Sequence, residues 1–302
     1  MDRFEVLRAA LERECPELDV RVGEPMSRHT SFRIGGPASL MAVPKTLEEA
    51  QIAVRTAAEY EVNPFFLGNG SNLLVPDEGY DGFVVKLAGE FNQVREAADH
   101  CLAAGGGVPL ARLAMAALER GLTGLEFAHG IPGSVGGAVT MNAGAYGGEM
   151  SQVVKKVTCL TRSGELEAVT EFDFAYRRSA FSDGTRVILG AEFQLQPGEH
   201  DVIRARMDEL AAQRQSKQPL EYPSAGSMFK RPVGYFAGVL VEQCGLKGFT
   251  VGGAQVSEKH AGFVINRGGA TFRDVMSLVE QVKARVLDQT GVELEMEVRI
   301  LR

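Results

Sequence analysis

A stretch of nineteen residues near the middle of the chain constrains the fold more than any other part of the 302-residue sequence. It runs from Gly130 to Gly148 as GIPGSVGGAVTMNAGAYGG, and seven of its nineteen residues are glycine. Glycine permits positive φ angles and removes the Cβ atom that would keep a ligand or a neighbouring backbone at a distance. A plain turn needs one or two glycines. The density therefore indicates that something rigid lies against this backbone.

A second, shorter loop with the sequence GNGSN spans residues 68–72, after the apolar stretch 63–67. Successive backbone N–H groups in such loops bind anionic phosphate well. Neither loop carries the GxGxxG fingerprint or the GxxxxGK[ST] motif, which disfavours a Rossmann dehydrogenase and a P-loop nucleotide hydrolase. Taken alone, tight turns between strands explain these glycines as well as phosphate binding does.

Hydrophobic periodicity and turn residues predict a mixed order of helices and strands. We expect helices over 2–13, 46–60, 109–120, 200–215, 235–244 and 271–290. We expect two short strands within 31–43, and further strands at 63–67, 83–88, 153–161, 165–170, 186–195, 249–256, 261–266 and 293–301. Thr46 and Glu49 have the spacing of a capping box, and Gly291 marks the end of the last helix. Because strands and helices do not alternate strictly, the α+β class is favoured over a doubly wound sheet.

The composition of the chain changes near residues 197–200, which predicts a domain boundary there. We expect an N-terminal helix and lead-in over residues 1–25 and a larger domain of two subdomains over 26–197. A smaller C-terminal α+β domain is expected over 198–302.

Charge and composition disfavour several functional classes. A net charge of −7 is a poor electrostatic match for nucleic acid or an anionic membrane. No stretch approaches the roughly 18 apolar residues of a membrane helix, and the charged N-terminus lacks the apolar core of a secretory signal. These features predict a cytoplasmic protein. The four cysteines and five histidines lack metal-ligand spacing, so no metal site is predicted.

Three polar residues are candidates for chemistry. Arg177 lies in the segment YRRS, Ser227 in the loop PSAGSMFKRP, and Glu297 on the last predicted strand, opposite its apolar face. From the residues alone, each also has an ordinary explanation. Arg177 fits a surface charge, Ser227 a turn hydroxyl and Glu297 a solvated strand face.

Eight segments of the chain, taken in order, resemble the UDP-N-acetylenolpyruvoylglucosamine reductase family. They are HTSFRIGGPA (29–38), GNGSNLLV (68–75), GLEFAHGIPGSVGGAVTMNAGAYGGEM (124–150), YRRS (176–179), PSAGSMFKRP (223–232), GLKG (245–248), GGAQVSEKHAGFVIN (252–266) and LEMEVR (294–299). Each segment is moderately specific, and together they cover nearly the whole chain. The absence of an obvious insertion between 180 and 220 resembles the shorter, type II-like form of the family.

The resemblance implies a p-cresol methylhydroxylase-type FAD-binding fold over 26–197 and a substrate-binding domain over 198–302. FAD would be held non-covalently, and NADPH would reduce it. A UDP-sugar would then accept hydride at the terminal carbon of its enolpyruvyl group, and no obligate protein partner is implied. The implied FAD-binding residues are Gly68, Asn69, Gly70, Ser71, Asn72, Gly130, Ile131, Pro132, Gly133, Ser134, Gly136, Gly137, Asn142, Gly144 and Ala145.

The resemblance also implies catalytic roles. Ser227 would donate the final proton, and Arg177 and Glu297 would stabilise the enolate that forms on the substrate. We expect the nearby Lys230 to activate the weakly acidic serine hydroxyl. The expected substrate contacts are Lys217, Lys230 and Arg231.

The chain departs from the family pattern at two positions. Many members have Asn where this chain has Arg231, so the contact made by that Asn cannot be carried over. We expect the Arg231 guanidinium to meet the diphosphate instead. His129 stands where Ala or Gly is common, and we assign it no role.

Two other functions fit parts of the sequence. A flavin-dependent oxidase or dehydrogenase of the same fold, acting on another substrate, would share the glycine-rich loops. It would not need YRRS, PSAGS and LEMEVR together. A non-catalytic flavin or UDP-sugar binding module would bind its ligand without turning over NADPH.

Overall fold

The computed structural model describes residues 2–302. Within them lie seven α-helices and nineteen strands, many of the strands only two to four residues long. The helices are α1 (Arg3–Glu14), α2 (Leu47–Glu59), α3 (Leu110–Leu118), α4 (Val135–Thr140), α5 (His200–Lys217), α6 (Ala237–Gln243) and α7 (Phe272–Thr290). The strands are β1 (Asp19–Pro25), β2 (Pro37–Val43), β3 (Phe65–Phe66), β4 (Leu73–Leu74), β5 (Tyr80–Val85), β6 (Val94–Ala98), β7 (Cys101–Gly105), β8 (Leu122–Thr123), β9 (Gly144–Ala145), β10 (Gly148–Glu149), β11 (Val154–Leu160), β12 (Leu166–Val169), β13 (Val187–Gln194), β14 (Gln196–Pro197), β15 (Ser224–Ser227), β16 (Thr250–Val251), β17 (Ala254–Val256), β18 (Phe263–Asn266) and β19 (Arg299–Ile300).

Contacts divide the chain into two compact units that are discontinuous in sequence. The first contains residues 2–23, 39–69 and 82–212, and the second contains 24–38, 70–81 and 213–302. This division differs from the contiguous boundaries expected at 25/26 and 197/198. The early residues Phe32, Ile34 and Leu74 are buried in the core of the second unit, which is why their segments cluster there. Which ligand each segment binds stays a prediction.

The first unit has a five-stranded sheet in the order β12-β11-β13-β7-β6, antiparallel throughout. Its main core joins residues of this sheet, such as Val157 and Phe193, to apolar residues of α3, α4 and α5. A four-stranded sheet has the order β1-β2-β5-β3. Its residues Leu40 and Phe83 share a second core with α1 and α2.

The second unit has a four-stranded antiparallel sheet in the order β15-β18-β17-β16. Its core joins this sheet to α6 and α7. Helix α7 begins with a complete capping box between Thr271 and Asp274 and ends at Gly291, whose φ is 70°. Strand β19 pairs in parallel with β4, which connects the chain end to the segment that follows the GNGSN loop.

Most of the predicted elements are present. All six predicted helices and the β11–β12 hairpin at Ser163-Gly164 are confirmed. Thr46 accepts a hydrogen bond from the Glu49 N–H as expected, but the Glu49 carboxylate accepts from the Lys45 N–H instead of completing the box. Within residues 2–302, no helix combines the length and the apolar character needed to cross a membrane.

Two predicted strands are wrong, and several elements were missed, among them β1, α4 and the β6–β7 hairpin. Residues 30–34 form a turn in which Arg33 has a φ of 56°. The first of the two strands expected in 31–43 is therefore absent, and only β2 forms there. The predicted strand 293–301 is reduced to β19 and one isolated bridge between Met296 and Phe229. Strands β6 and β7 were missed because β6 is an exposed, charged edge strand without apolar alternation.

Candidate active site

The glycine-rich segment forms a short helix followed by a tight hairpin. Helix α4 follows Ser134, and β9 pairs with β10 across Tyr146 and Gly147, which have φ angles of 53° and 85°. A Cβ atom on Gly148 would lie 2.4 Å from the Phe127 ring. At this end of the segment, the turn and its packing account for the glycines. The predicted FAD contacts Gly144 and Ala145 lie in this hairpin.

The start of α4 contains a buried hydroxyl group that lacks a partner. Ser134 is 1% exposed, and none of the described residues makes a hydrogen bond with its Oγ atom. A Cβ atom on Gly68 would lie 2.5 Å from this oxygen, and one on Gly137 would lie 3.6 Å away. An unsatisfied buried hydroxyl costs about 1–3 kcal/mol. The arrangement therefore fits a bound group that offers an acceptor, such as a phosphate oxygen of a dinucleotide.

Other donors in the same segment bond within the protein. The N–H groups of Val135 and Gly136 donate to the carbonyl oxygens of Val108 and Gly106, both at 2.8 Å. The Gly136 N–H thus has a protein acceptor, so it gains no support as a phosphate donor. The predicted contacts through Gly130, Ile131, Pro132, Gly133 and Gly137 stay predictions.

The GNGSN loop is divided between the two units. Asn69 contacts the glycine-rich segment, because its Nδ2 atom donates to the Pro132 carbonyl at 3.4 Å. Gly70 has a φ of 59°, and a Cβ atom there would lie 2.0 Å from the His29 carbonyl oxygen. Only glycine satisfies both conditions. The N–H of Ser31 donates to the Gly70 carbonyl at 3.2 Å, which closes this contact.

Asn142 anchors the segment that carries Arg177. Its side chain is 3% exposed, Nδ2 donates to the Ala175 carbonyl at 3.3 Å, and Oδ1 accepts from the Ser151 N–H at 2.9 Å. The predicted role of Asn142 in FAD binding gains no support, since both polar atoms of its amide bond to protein groups. Ser179 adds a second anchor by donating to the Thr140 carbonyl at 2.8 Å.

Arg177 lies at the tip of a tight turn with a strained backbone. The N–H groups of Ala175 and Arg178 donate to each other's carbonyl oxygens at 3.0 and 3.1 Å. The φ of Arg177 is 55°, a conformation that costs a non-glycine residue about 1 kcal/mol or more. Its guanidinium lies 5.2 Å from the ring centroid of Tyr176, which is 58% exposed. The same conformation occurs at six other non-glycine residues of the described chain, among them Glu61 and His100, so it marks a tight turn and does not by itself assign a function to Arg177.

Ser227 and Glu297 are brought together by Met228. Ser227 ends β15 after a bulge in which Gly226 has a φ of 79°. The N–H of Glu297 donates to the Met228 carbonyl at 2.9 Å, and Asn72 Nδ2 donates to the Glu297 carbonyl at 3.2 Å. The two candidate catalytic residues are thus held beside the end of the GNGSN loop.

Glu297 differs from its neighbours on the chain. Leu294 and Val298 are buried, as the alternation predicts, whereas Glu293, Glu295 and Arg299 are exposed. Glu297 shares their face yet is half-buried. The solvated-face explanation therefore fits those three residues but not Glu297.

Comparison with known proteins identifies the family. Residues 218–301 match the C-terminal domain of UDP-N-acetylenolpyruvoylglucosamine reductase, and residues 38–170 match the FAD binding domain. A UDP-N-acetylenolpyruvoylglucosamine reductase from Pediococcus pentosaceus is 50% identical over 288 residues, 95% of each chain. One from Geobacillus thermodenitrificans is 47% identical over 303 residues, 100% of this chain and 99% of the relative. This chain belongs to the UDP-N-acetylenolpyruvoylglucosamine reductase family.

A solved structure of the reductase family supports the same assignment. The crystal structure of the enzyme from Thermus caldophilus has a TM-score of 0.81 and 35% identity, and the match covers 95% of this chain and 99% of that chain. The predicted α+β fold, with an FAD-binding domain followed by a C-terminal domain, is confirmed. Both glycine-rich loops lie within the region that matches the FAD binding domain.

The three predicted substrate contacts are cations with different surroundings. The Lys230 ammonium pairs with the exposed Glu295 carboxylate, so the idea that it activates Ser227 gains no support. The Arg231 guanidinium lies 4.0 Å from the ring centroid of Phe236. Lys217 is the exposed last residue of α5. Their roles in the reductase stay predictions.

Sequence reasoning missed a residue that holds the second unit together. Asn266 is buried, and its Nδ2 atom donates to the Phe32 carbonyl at 3.2 Å. Its Oδ1 atom accepts from the N–H groups of Gly268 and Ala270 at 2.9 and 3.1 Å. The pattern that could have identified it is an Asn at the end of the apolar run FVIN, directly before a turn.

Proposed function

We propose that this chain is an FAD-dependent oxidoreductase that reduces the enolpyruvyl group of UDP-N-acetylenolpyruvoylglucosamine to give UDP-N-acetylmuramate. NADPH is the reductant, and the reaction belongs to peptidoglycan precursor synthesis in the cytoplasm. The observation that carries the proposal is the 50% identity to a reductase of this name over 95% of both chains. The partners we propose are the UDP-sugar and NADPH.

The FAD site is supported by the buried polar group described above. The Ser134 hydroxyl has no protein partner, and Gly68 and Gly137 leave space beside it. These residues would hold an anionic part of FAD, which supplies hydride transfer when it is bound. Asn142 and Ser179 have a different task, which is to hold the Arg177 turn against the segment that forms this site.

The charge that develops on the substrate explains the residue types. Hydride adds to the terminal carbon of the enolpyruvyl group, so negative charge builds on the adjacent carbon and its carboxylate. We assign the stabilisation of this enolate to the Arg177 cation and to Glu297, which would act as an acid that donates a hydrogen bond. The rigid turn at Arg177 and the bond between Glu297 N–H and Met228 fix both backbones before the reaction, which makes such stabilisation effective.

Ser227 is assigned to deliver the proton that completes the reduction. A proton moves from its Oγ atom to the carbon next to the carboxylate, the carbon–carbon double bond becomes single, and solvent returns the proton to serine. The hydroxyl is a weak acid, so its position must be accurate. The bulge at Gly226 and the pairing of Ser227 with Phe263 fix that position.

Two serines on the same strand give a matched test of this role. In Ser227→Ala, we expect NADPH to reduce the flavin at the normal rate and the UDP-sugar to reoxidise it about 10²–10⁴ times more slowly. Ser224→Ala, three residues earlier on β15, should leave both half-reactions unchanged. Stopped-flow absorbance of the bound flavin measures both rates. Equal loss of the two half-reactions in Ser227→Ala would exclude a dedicated proton donor.

A further inference from the structure

A line of hydrogen bonds connects His260 to the residues assigned to proton delivery. The Gly262 N–H donates to His260 Nδ1 at 3.1 Å, and the Met228 N–H donates to the Gly262 carbonyl at 2.8 Å. The Glu297 N–H then donates to the Met228 carbonyl at 2.9 Å. Ser227 directly precedes Met228 in the chain. The imidazole ring is therefore one end of a line that reaches both Ser227 and Glu297.

The turn that carries His260 gives the ring one orientation. Ser257 Oγ accepts from the N–H groups of Lys259 and His260 at 3.1 and 3.2 Å. The Phe263 N–H donates to the His260 carbonyl at 3.0 Å, and the two rings pack edge to face with their centroids 5.0 Å apart. The ring also fills the space beside Gly262, where a Cβ atom would lie 3.0 Å from the imidazole.

The contact with Gly262 favours one protonation state of the ring. Because a backbone N–H can only donate, this bond requires an unprotonated Nδ1, with the ring proton on Nε2. Burial is the largest cause that lowers the pKa of His260 below its ordinary value of 6.5. A hydrogen bond to the backbone of His260 itself opposes burial and raises this pKa. The Lys247 charge lowers the pKa, and Glu242, which pairs with Lys247, raises it. The neutral ring is thus the form that fits this turn.

We propose that His260 is a positioning residue for proton delivery, whose neutral imidazole holds Gly262 and thereby keeps Ser227 and Glu297 in register through Met228. The inference rests on the roles proposed above for Ser227 and Glu297. Protonation would place a second donor on Nδ1, facing the Gly262 N–H, and would break the first bond of the line. The half-reaction with the UDP-sugar should therefore slow in acid through His260, while flavin reduction by NADPH should not.

Two variants distinguish the loss of the hydrogen-bond acceptor at position 260 from the loss of a side chain that can be protonated. An Asn side chain accepts from the N–H two residues later in an Asx turn, so His260→Asn keeps an acceptor that cannot titrate. His260→Leu keeps apolar contact with Phe263 but has no acceptor. We expect His260→Leu to slow flavin reoxidation by the UDP-sugar about tenfold at all pH values. At pH 8 the reoxidation rate of His260→Asn should stay within about threefold of the wild-type rate. As the pH falls, this variant should not show the part of the rate decrease that protonation of His260 causes.

The experiment measures both half-reactions of the holoenzyme by stopped flow from pH 5 to 8. A purely structural His260 would change stability without changing the pH profile. If His260→Asn keeps the wild-type acid decline, or if His260→Leu reoxidises at the wild-type rate, the proposal is overturned. Should His260→Leu fail to fold, the pH profile of His260→Asn decides alone.

A second readout does not depend on turnover. Nitrogen-15 NMR of the histidine-labelled holoenzyme reports which ring nitrogen carries the proton, and His260→Asn assigns the resonance. We expect the Nε2–H form of His260, persisting below pH 6.5. An Nδ1–H ring would overturn the proposal. If wild type never reoxidises with the UDP-sugar, the proposed function fails, and this tautomer still tests whether His260 is built as an acceptor.

Discussion

Two regions of the molecule hold their candidate catalytic residues by different means. The first is the glycine-rich segment with the turn at Arg177, where side chains hold the backbone. Asn142 and Ser179 bond to carbonyl groups across the two segments. The second is the ladder around Met228, where mainly backbone groups hold Ser227 and Glu297, and the Asn72 side chain adds one bond to the Glu297 carbonyl. Only the first region is dense in glycine, and close packing such as that of Gly148 on Phe127 is one reason for this density.

The two regions differ in the residue types that adopt positive φ angles. Asn142, Tyr146 and Arg177 have positive φ angles of 42°, 53° and 55°, although none is glycine. In the ladder region the positive φ falls on Gly226, which tolerates it. The first region therefore carries backbone strain at non-glycine residues, whereas in the ladder the positive φ falls on a residue that tolerates it.

The largest expected effect comes from replacing Arg177 by glycine, which removes its charge and relieves its backbone strain. In Arg177→Gly, flavin reoxidation by the UDP-sugar should fall about 10²–10³-fold, because a stabilising charge is lost. The free energy of unfolding should rise by about 0.5–1 kcal/mol, since glycine tolerates this φ. Urea unfolding at fixed FAD concentration measures the second quantity. The control is Arg178→Gly, because Arg178 does not have a positive φ and its replacement by glycine should lower the free energy of unfolding. If both variants lose the same unfolding free energy, the backbone at Arg177 is not strained.

The second effect tests whether side chains hold the first region. Asn142→Ala removes both amide hydrogen bonds and places Ala at a φ of 42°. The free energy of unfolding should therefore fall by about 2–4 kcal/mol. Asn142→Asp keeps the acceptor for the Ser151 N–H and loses the donor to Ala175. It should be intermediate in stability and slow the UDP-sugar half-reaction more than NADPH-driven reduction. A wild-type rate in Asn142→Asp would show that this anchor does not position Arg177.

The third effect compares two adjacent glycines of the hairpin. A Cβ atom on Gly148 would collide with Phe127, so Gly148→Ala should cost about 2 kcal/mol or more of unfolding free energy. Gly147 has a φ of 85° and open space around its Cβ position, so Gly147→Ala should cost about 1 kcal/mol. Denaturant unfolding at matched FAD concentration measures both. The reverse order would mean that φ, and not packing, makes glycine necessary here.

The smallest effect is a pH dependence in the ladder region. The lowered pKa of His260 means that the unfolded chain binds more protons below about pH 6.5. The stability contributed by the neutral ring is therefore complete above pH 6.5 and is lost as the pH falls through the folded pKa. Because the ring is partly exposed, this loss should stay below about 1 kcal/mol. In His260→Asn this part of the pH dependence should be absent from urea unfolding curves at pH 5 and 8.

The sequence was informative where local chemistry decides structure. The caps at Thr46 and Gly291, the turn at Ser163-Gly164 and the periodicity of the long helices each depend on neighbours in the chain. Local composition also indicated a rigid contact at the glycine-rich segment, whereas FAD as its ligand came from the family resemblance alone and stays a prediction.

The rest depends on contacts between distant residues. Nothing near Asn142 in the sequence indicates that its amide bonds to Ala175. The segment before Glu297 alternates like a strand but pairs with 228–230 at one bridge, so its register was not readable. The positive φ of Arg177 could not be predicted from the sequence either, because arginine does not favour this conformation.

The most direct test of the central claim is an anaerobic visible spectrum of the purified protein, followed through addition of NADPH and then of UDP-N-acetylenolpyruvoylglucosamine. If this chain is the proposed reductase, the flavin bands bleach with NADPH and return with the UDP-sugar, and UDP-N-acetylmuramate forms. Bands that bleach and do not return would contradict the proposed substrate and favour another acceptor on the same fold. A protein that neither contains nor takes up FAD would contradict the account at its foundation.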